Sequence, residues 1–145
     1  MIALPDVNLL VALAWPEHTF HDLAVAWFDA RADTGWATCP ITELGFMRIS
    51  ANAKVVGEPV LPKESAAFLV ALSAVGAHHF WIDDLEPSTS RLFPHDRLIG
   101  HRQVTDAHLL ALSRRHRGSI ATLDRGLSTL ARGLASTTVE LVTAP

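Results

Sequence analysis

Four of the fifteen acidic residues stand where the edge of a parallel sheet would gather them. Asp6 closes an apolar opening segment, and Asp124 follows the apolar run 119–123. Glu43 and Asp106 each lie at the start of a predicted helix. Because open α/β folds build their sites at the carboxyl ends of the strands, we expect these side chains to lie near one another. Clustered carboxylates of this kind are typical of a site for a divalent metal ion.

Such a cluster has an electrostatic cost that a cation would remove. Two carboxylates about 4 Å apart repel by about 4 kcal/mol at an effective dielectric of 20, and neither Lys54 nor Lys63 lies near any of the four in sequence. Because all the ligands would be oxygens, Mg²⁺ or Mn²⁺ is favoured over Zn²⁺. An ion of this kind polarises a phosphoryl oxygen and activates water. The four acids together therefore indicate hydrolysis of a phosphodiester.

Other interpretations of these residues remain open at this point. A single acid at the end of a strand is more often a helix cap or a turn residue. Asp83 and Asp84 also follow a predicted strand and are rival candidates for the acidic metal site. His78 and His79 are adjacent in that strand and therefore point to opposite faces of the sheet, which makes joint action difficult.

The composition bounds the class of protein. The 145 residues are 49% hydrophobic, which predicts a single domain, 1–145, with a substantial core. No apolar run approaches the roughly 20 residues of a membrane span, and no signal peptide is recognised. The one cysteine, Cys39, excludes an internal disulfide framework and fits a reducing cytoplasm. The motifs of P-loop, Rossmann, serine-hydrolase and zincin sites are absent from the sequence.

Positive charge is concentrated in the last third of the chain. Residues 91–132 hold eight arginines and three acids, a balance of +5, although the whole chain carries −3. This asymmetry indicates a polyanionic partner, and the alternative is that arginines near helix C-termini offset the helix dipole. Arg91, Arg97 and Arg102 lie in the least regular stretch, where they could reach phosphates.

The elements that would position these residues alternate between strand and helix. The predicted strands cover 1–6, 35–39, 79–82, 119–123 and 139–142. The predicted helices cover 8–15, 18–31, 41–49, 63–75, 105–116 and 125–132. A further short helix is expected near 90–93, and Thr105 is expected to cap the helix at 105–116. The alternation predicts an α/β fold, a three-layer α/β/α sandwich with a central, mostly parallel sheet.

Four segments carry a family resemblance. Residues 4–10 (LPDVNLL), 42–43 (TE), 104–109 (VTDAHL) and 121–124 (ATLD) resemble, in order and spacing, the four acidic motifs of PIN-domain nucleases. The set is similar in order and spacing to the VapC-type toxins of bacterial type II toxin–antitoxin pairs, and the resemblance covers essentially the whole chain. Each motif alone is a weak signal, whereas the four in order are a strong one.

The resemblance implies an activity and a role for each acid. It implies an endoribonuclease that depends on Mg²⁺ or Mn²⁺, with Asp6 and Asp106 as the main metal ligands and Glu43 and Asp124 completing the acidic pocket. Thr122 is similar to the family's hydroxyl residue that supports this pocket. The expected partners are an RNA substrate, a small antitoxin protein and a second copy of the chain, in the cytoplasm and without a membrane.

The sequence departs from the family pattern at Pro5, which is expected to cost one hydrogen bond of the sheet. Asp83 and Asp84 match no family motif and are therefore predicted not to be catalytic. A haloacid-dehalogenase-like phosphatase would place a second acid two residues after the first, where this chain has Asn8. A receiver-type signalling domain would need a lysine late in the chain. A non-catalytic interaction module, with the acids as helix caps, is the remaining alternative.

Overall fold

Five short strands form one sheet in the order β3-β2-β1-β4-β5, and every neighbouring pair is parallel. This is seen in a computed structural model, which describes residues 1–134 and 138–145. The strands are β1 (Ala3–Pro5), β2 (Trp36–Thr38), β3 (His78–Phe80), β4 (Ser119–Thr122) and β5 (Val139–Leu141). The prediction of an α/β fold with a central parallel sheet is confirmed, and the strand order places β1 at the centre.

Helices cover both faces of the sheet. They are α1 (Val7–Ala14), α2 (His21–Arg31), α3 (Pro40–Ser50), α4 (Ala53–Val56), α5 (Pro62–Ser73), α6 (Val104–Arg115) and α7 (Arg125–Ala131). Successive strand residues point to opposite faces, so Leu4 and Ile120 pack in the cluster that α6 and α7 build. Ala121 packs instead with residues of α1 and α2. No helix within the described residues is long and apolar enough to cross a membrane.

Pro5 interrupts the sheet on one side of β1 only. The amide of Ala3 donates to the carbonyl of Gly35 on the β2 side (3.2 Å), and that of Asp6 donates to Ala121 of β4 (2.9 Å). Because successive amides of a strand alternate between its two neighbours, the N–H that Pro5 lacks is one that would have faced β2. β1 accordingly pairs with β2 at one register position and with β4 at three. The expected lost bond therefore lies away from the amide that anchors Asp6.

The irregular stretch before α6 differs from the prediction. The short helix expected near 90–93 is wrong, and two 3₁₀ turns, His95–Arg97 and His101–Gln103, occur further on. Pro94 has no N–H for the helical ladder and disfavours helix at the residue before it, which explains why none forms at 90–93. The second turn leads directly into α6, so Gln103 rather than Thr105 occupies the N-cap position and no side chain caps the helix.

Two further differences concern helix ends. The short helix α4 was not predicted, and it exists because Asn52 accepts the amide of Lys54 at 3.0 Å while Gly57, with φ +74°, ends it. α2 begins at His21 rather than at residue 18. His18 instead closes a turn, in which its Nδ1 accepts the amide of Phe20 at 3.1 Å.

A close crossing of α1 and α3 brings the start of α3 to the edge where Asp6 lies. Gly45 of α3 is buried, and a Cβ at this position would lie 2.6 Å from Cγ2 of Val7 in the first turn of α1. Only a residue without a side chain allows this approach. Because Glu43 lies one half-turn before Gly45, the crossing positions Glu43 as well.

We predict that Gly45→Ala destabilises the fold by about 1–3 kcal/mol, the usual cost of overpacking. This would occur although alanine is intrinsically the better helix former by about 1 kcal/mol. Val7 has little freedom to move away, because a β-branched side chain in a helix is held close to one rotamer. Urea denaturation of the parent and the variant measures the change.

Val7→Ala supplies the matched control. It removes the methyl group that the new Cβ would meet, so Gly45→Ala should cost much less in a Val7→Ala background than in the parent. Equal costs in the two backgrounds would show that the crossing is not limited by Val7.

Candidate active site

The Asp6 carboxylate is the buried centre of the candidate site. Asp6 is 4% exposed and occupies the N-cap position of α1, where its Oδ1 accepts the amide of Leu9 at 2.8 Å. Its Oδ2 accepts the hydroxyl of Thr122 at 2.5 Å. Thr122 Oγ1 in turn accepts the amide of Asp124 at 2.9 Å. The end of β1 and the end of β4 are therefore joined through one buried carboxylate.

Two other acids of the site, Asp106 and Asp124, stand at the starts of α6 and α7. Asp106 is half-buried in the first turn of α6. Asp124 is exposed and caps α7, with its Oδ1 accepting the amide of Gly126 at 2.7 Å. Carboxylates are favoured at both places because helix N-termini carry unpaired N–H groups and the positive end of the dipole.

The charges of these three acids affect one another. Burial raises the pKa of Asp6 to about 6, hydrogen bonds from Thr122 and Leu9 oppose the rise, and the charges of Asp106 and Asp124 add to it. Burial also raises the pKa of Asp106, again with a contribution from Asp124. The structure therefore brings Asp6, Asp106 and Asp124 together, and among the residues it describes no cationic side chain forms an ion pair with any of them.

Glu43 is held by different neighbours. Thr38 Oγ1, at the end of β2, donates to Glu43 Oε1 at 2.7 Å. The same hydroxyl lies 2.9 Å from Nε2 of His78 in β3. Burial lowers the pKa of His78, whereas the charge of Glu43 acts to raise it. The sequence gives no signal for Thr38 and considers His78 only together with His79, because the partnership of Thr38 with His78 depends on which strands are neighbours.

The residues present fit a hard divalent ion held by few protein ligands. Among the residues that the structure describes, no three His, Cys, Asp or Glu side chains are grouped closely enough to hold an ion by themselves. Mg²⁺, however, keeps several waters and is usually bound through one or two carboxylates plus substrate phosphates. Each oxygen of Asp6 accepts one hydrogen bond, which leaves a further lone pair on each. Asp6 and Asp106 would thus suffice as protein ligands.

Asp83 and Asp84, the competing acids, have cationic or imidazole partners of their own. Asp83 Oδ2 lies 2.6 Å from Nε2 of His108, with side-chain exposures of 14% and 10%. Asp84 pairs with Arg115 at 3.0 Å on the surface. These contacts tie the segment after β3 to α6. Asp83 therefore has a buried partner on α6, His108.

The arginines divide into anchored and unanchored groups. Arg97 donates to the carbonyls of Arg132 and Leu130 at the end of α7, and Arg114 donates to Leu92. Arg91 and Arg102 are exposed, and within the described residues neither forms an ion pair. Of the three arginines in the irregular stretch before α6, Arg91 and Arg102 are therefore better candidates for phosphate contacts than Arg97.

Comparison with known proteins gives closely similar relatives over nearly the full length. No protein-family model matches the chain. It is 48% identical over 142 residues to ribonuclease VapC38 of Mycobacterium tuberculosis, covering 98% of this chain and 99% of that protein. Identity is 42% to ribonuclease VapC39 (88% of this chain, 92% of that protein) and 40% to ribonuclease VapC29 (90% and 91%), both of the same organism.

Two solved structures share the fold. A structure of FitAB bound to an IR36 DNA fragment superposes with a TM-score of 0.62 and 21% identity, covering 96% of this chain and 93% of that one. A crystal structure of FitAcB from Neisseria gonorrhoeae gives a TM-score of 0.58 and 17% identity, covering 97% and 96%.

The buried carboxylate predicts a pH-dependent stability in metal-free protein. Because the pKa of Asp6 is about 6 in the folded chain and 3.8 in the unfolded reference, the folded state binds more protons between these values and loses stability as the pH rises through them. In Asp6→Asn the side chain does not ionise, so this loss of stability does not occur. The asparagine also keeps an oxygen that can accept the Leu9 amide. We expect the variant to be more stable than the parent by up to about 3 kcal/mol at pH 7, with no such advantage near pH 3.

Denaturation in EDTA at a series of pH values measures this difference. Asp29→Asn, which makes the same charge change at an exposed position of α2, serves as the control and should show little pH-dependent gain. A parent protein whose stability does not fall between pH 4 and pH 6 relative to Asp6→Asn would contradict the assignment.

Proposed function

Because the chain belongs to the VapC family of PIN-domain ribonucleases, we propose that it is an endoribonuclease dependent on Mg²⁺ or Mn²⁺, acting as the toxin of a toxin–antitoxin pair. The observation that carries this proposal is the Asp6 carboxylate, buried at 4% exposure beside the charges of Asp106 and Asp124. A carboxylate buried among like charges is costly unless a cation neutralises it.

Each acid has a proposed role in this reaction. Asp6 and Asp106 would hold the ion, which when bound would neutralise charge that develops on the scissile phosphate. Thr122 keeps the Asp6 carboxylate in place through its hydroxyl. Glu43 and Asp124 would orient the attacking water or a second ion. Such groups contribute by holding the reactants in a productive geometry.

The alternative of a non-catalytic module has one observation in its favour. Asp6 and Asp124 do cap α1 and α7. A cap, however, needs only a short polar side chain at the helix start and stabilises by about 1 kcal/mol. That gain does not explain a carboxylate whose pKa is raised to about 6 by burial and by two neighbouring acids. The phosphatase alternative is weakened because position 8 holds Asn within α1.

The proposed partners are a small antitoxin and a second copy of the chain. Membership of the family supports the first. Leu44 on α3 and Val70 on α5 support an apolar interface, since they are 61% and 71% exposed on helices that pack against each other. We assign the protein to the cytoplasm, which its single buried thiol, Cys39, suits.

The first test concerns the metal and the cleavage together. Asp6→Asn or Asp106→Asn should abolish Mg²⁺-dependent cleavage of RNA and weaken Mg²⁺ binding measured by calorimetry, because each removes one proposed ligand charge. Asp29→Asn should cleave like the parent. Retained metal-dependent cleavage by both site variants would show that other acids form the site, and a parent that neither binds Mg²⁺ nor cleaves RNA would favour the interaction module.

The second test concerns Arg91 and Arg102 of the irregular stretch before α6. Replacing Arg91 and Arg102 with alanine should weaken binding to a non-cleavable RNA and flatten its salt dependence, because each lost phosphate contact lowers the log–log slope by about 0.7 for a single strand. Metal affinity should hardly change. Arg115→Ala with Arg117→Ala removes the same charge elsewhere and should leave the slope nearly intact. Equal slopes for both double variants would assign the effect to net charge alone.

A further inference from the structure

A chain of hydrogen bonds joins Glu43 to two residues that lie outside the four acidic motifs. Thr38 is 2% exposed at the end of β2, and its Oγ1 donates to Glu43 Oε1 at 2.7 Å. On its other side the same oxygen lies 2.9 Å from His78 Nε2. β2 and β3 are adjacent and in register, with Trp36 opposite His78, so Thr38 and His78 project from the same face of the sheet.

Because the Thr38 hydroxyl has a single proton, it can donate to only one of its two neighbours, Glu43 and His78. An ionised glutamate only accepts hydrogen bonds, so Thr38 must donate its proton to Glu43. Thr38 can then only accept from His78, whose Nε2 must carry a hydrogen. The geometry thereby selects one tautomer of His78. The ring is further fixed by Trp36, whose ring centroid is 4.4 Å away.

On the other side of β1, a buried threonine likewise donates a hydrogen bond to an acid of the site. Thr122, at the end of β4, donates to Asp6, and Thr38, at the end of β2, donates to Glu43. Both threonines are buried, with exposures of 0% and 2%. β2 and β4 are the two neighbours of β1. Each flanking strand therefore ends in a buried hydroxyl that holds one acid of the candidate site.

Thr38 is well suited to restrain a flexible side chain. A free glutamate has three rotatable bonds and loses considerable entropy when ordered, whereas threonine is β-branched and stiff at χ1. Glu43 and His78 also border a cavity of about 200 Å³ between α3, α5 and β3. The restrained carboxylate consequently faces a space that water can enter.

We propose that Thr38 and His78 are positioning residues for Glu43: His78 directs the Thr38 hydroxyl, and that hydroxyl holds the Glu43 carboxylate in the orientation that the reaction uses. This inference rests on the proposed function in so far as Glu43 takes part in RNA cleavage. The hydrogen-bond chain itself is independent of that activity.

Thr38→Val is the central variant, because it removes the hydroxyl and keeps the branched shape. We expect kcat to fall by roughly 10- to 100-fold, as for a misplaced catalytic group, with KM within a few-fold of the parent. Thr38→Ser should restore most of kcat because it returns the hydroxyl. Ser113→Ala removes another buried hydroxyl, which donates to the carbonyl of Leu109 within α6, and should leave kcat unchanged.

A double-mutant cycle separates positioning from general damage. If Thr38 acts through Glu43, then Thr38→Val should cost little further kcat in a Glu43→Gln background. His78→Leu should likewise lower kcat in the parent and have little effect in the Thr38→Val background. An unchanged kcat for Thr38→Val, or costs that simply multiply with those of Glu43→Gln, would overturn the proposal.

Nitrogen-15 NMR of the histidine rings tests the hydrogen bonds among Glu43, Thr38 and His78 without measuring RNA cleavage. In the parent at neutral pH, His78 should show the tautomer protonated at Nε2, and Thr38→Val should remove that preference. A parent His78 protonated at Nδ1 alone overturns the inference even if the protein cleaves RNA. If the parent shows the Nε2–H tautomer but does not cleave RNA with Mg²⁺, the proposed function fails and so does the role in catalysis, while the hydrogen-bond chain stands.

Discussion

The burial of one carboxylate, Asp6, is the constraint on which the rest of the site depends. An ionised group removed from water must be compensated by hydrogen bonds or by opposite charge. The protein supplies two hydrogen bonds, from the Leu9 amide and the Thr122 hydroxyl, and within residues 1–134 and 138–145 no cationic side chain pairs with Asp6. These two bonds fix where Asp6 lies in the fold. The bond from Leu9 requires a helix to start immediately after β1, and the bond from Thr122 requires β4 to lie beside β1.

The two strands beside β1 each hold one acid of the candidate site. β4 supplies the hydroxyl for Asp6, and β2 supplies the hydroxyl for Glu43. Pro5 weakens the pairing of β1 with β2 and leaves its pairing with β4 complete over three register positions. β1 is thus held more firmly by β4, the strand that also holds the buried Asp6 carboxylate. Rigid elements hold side chains more accurately than loops do, which suits a site that must fix several like charges.

Much of this arrangement could be predicted from the sequence because it is local. The strand-end position of Asp6 and the helix-opening position of Asp106 follow from apolar periodicity, and both acids lie where predicted. The partnerships of Thr38 with His78 and of Asp83 with His108 could not be predicted. They depend on the order of strands and on how the segment after β3 packs against α6, which tertiary contacts decide. The helix expected near 90–93 does not form because Pro94 disfavours helical backbone at the residue before it.

The bond between Thr122 and Asp6 joins residues that are 116 positions apart. A ribosome releases the amino-terminal residues first, so Asp6 leaves the exit tunnel long before the strand that supports it has been made. Contacts of such long range form late, after the intervening chain has become available. The acidic pocket is therefore completed only after β4 has been made, and a nascent chain interrupted before β4 carries Asp6 without the hydroxyl that holds it in place.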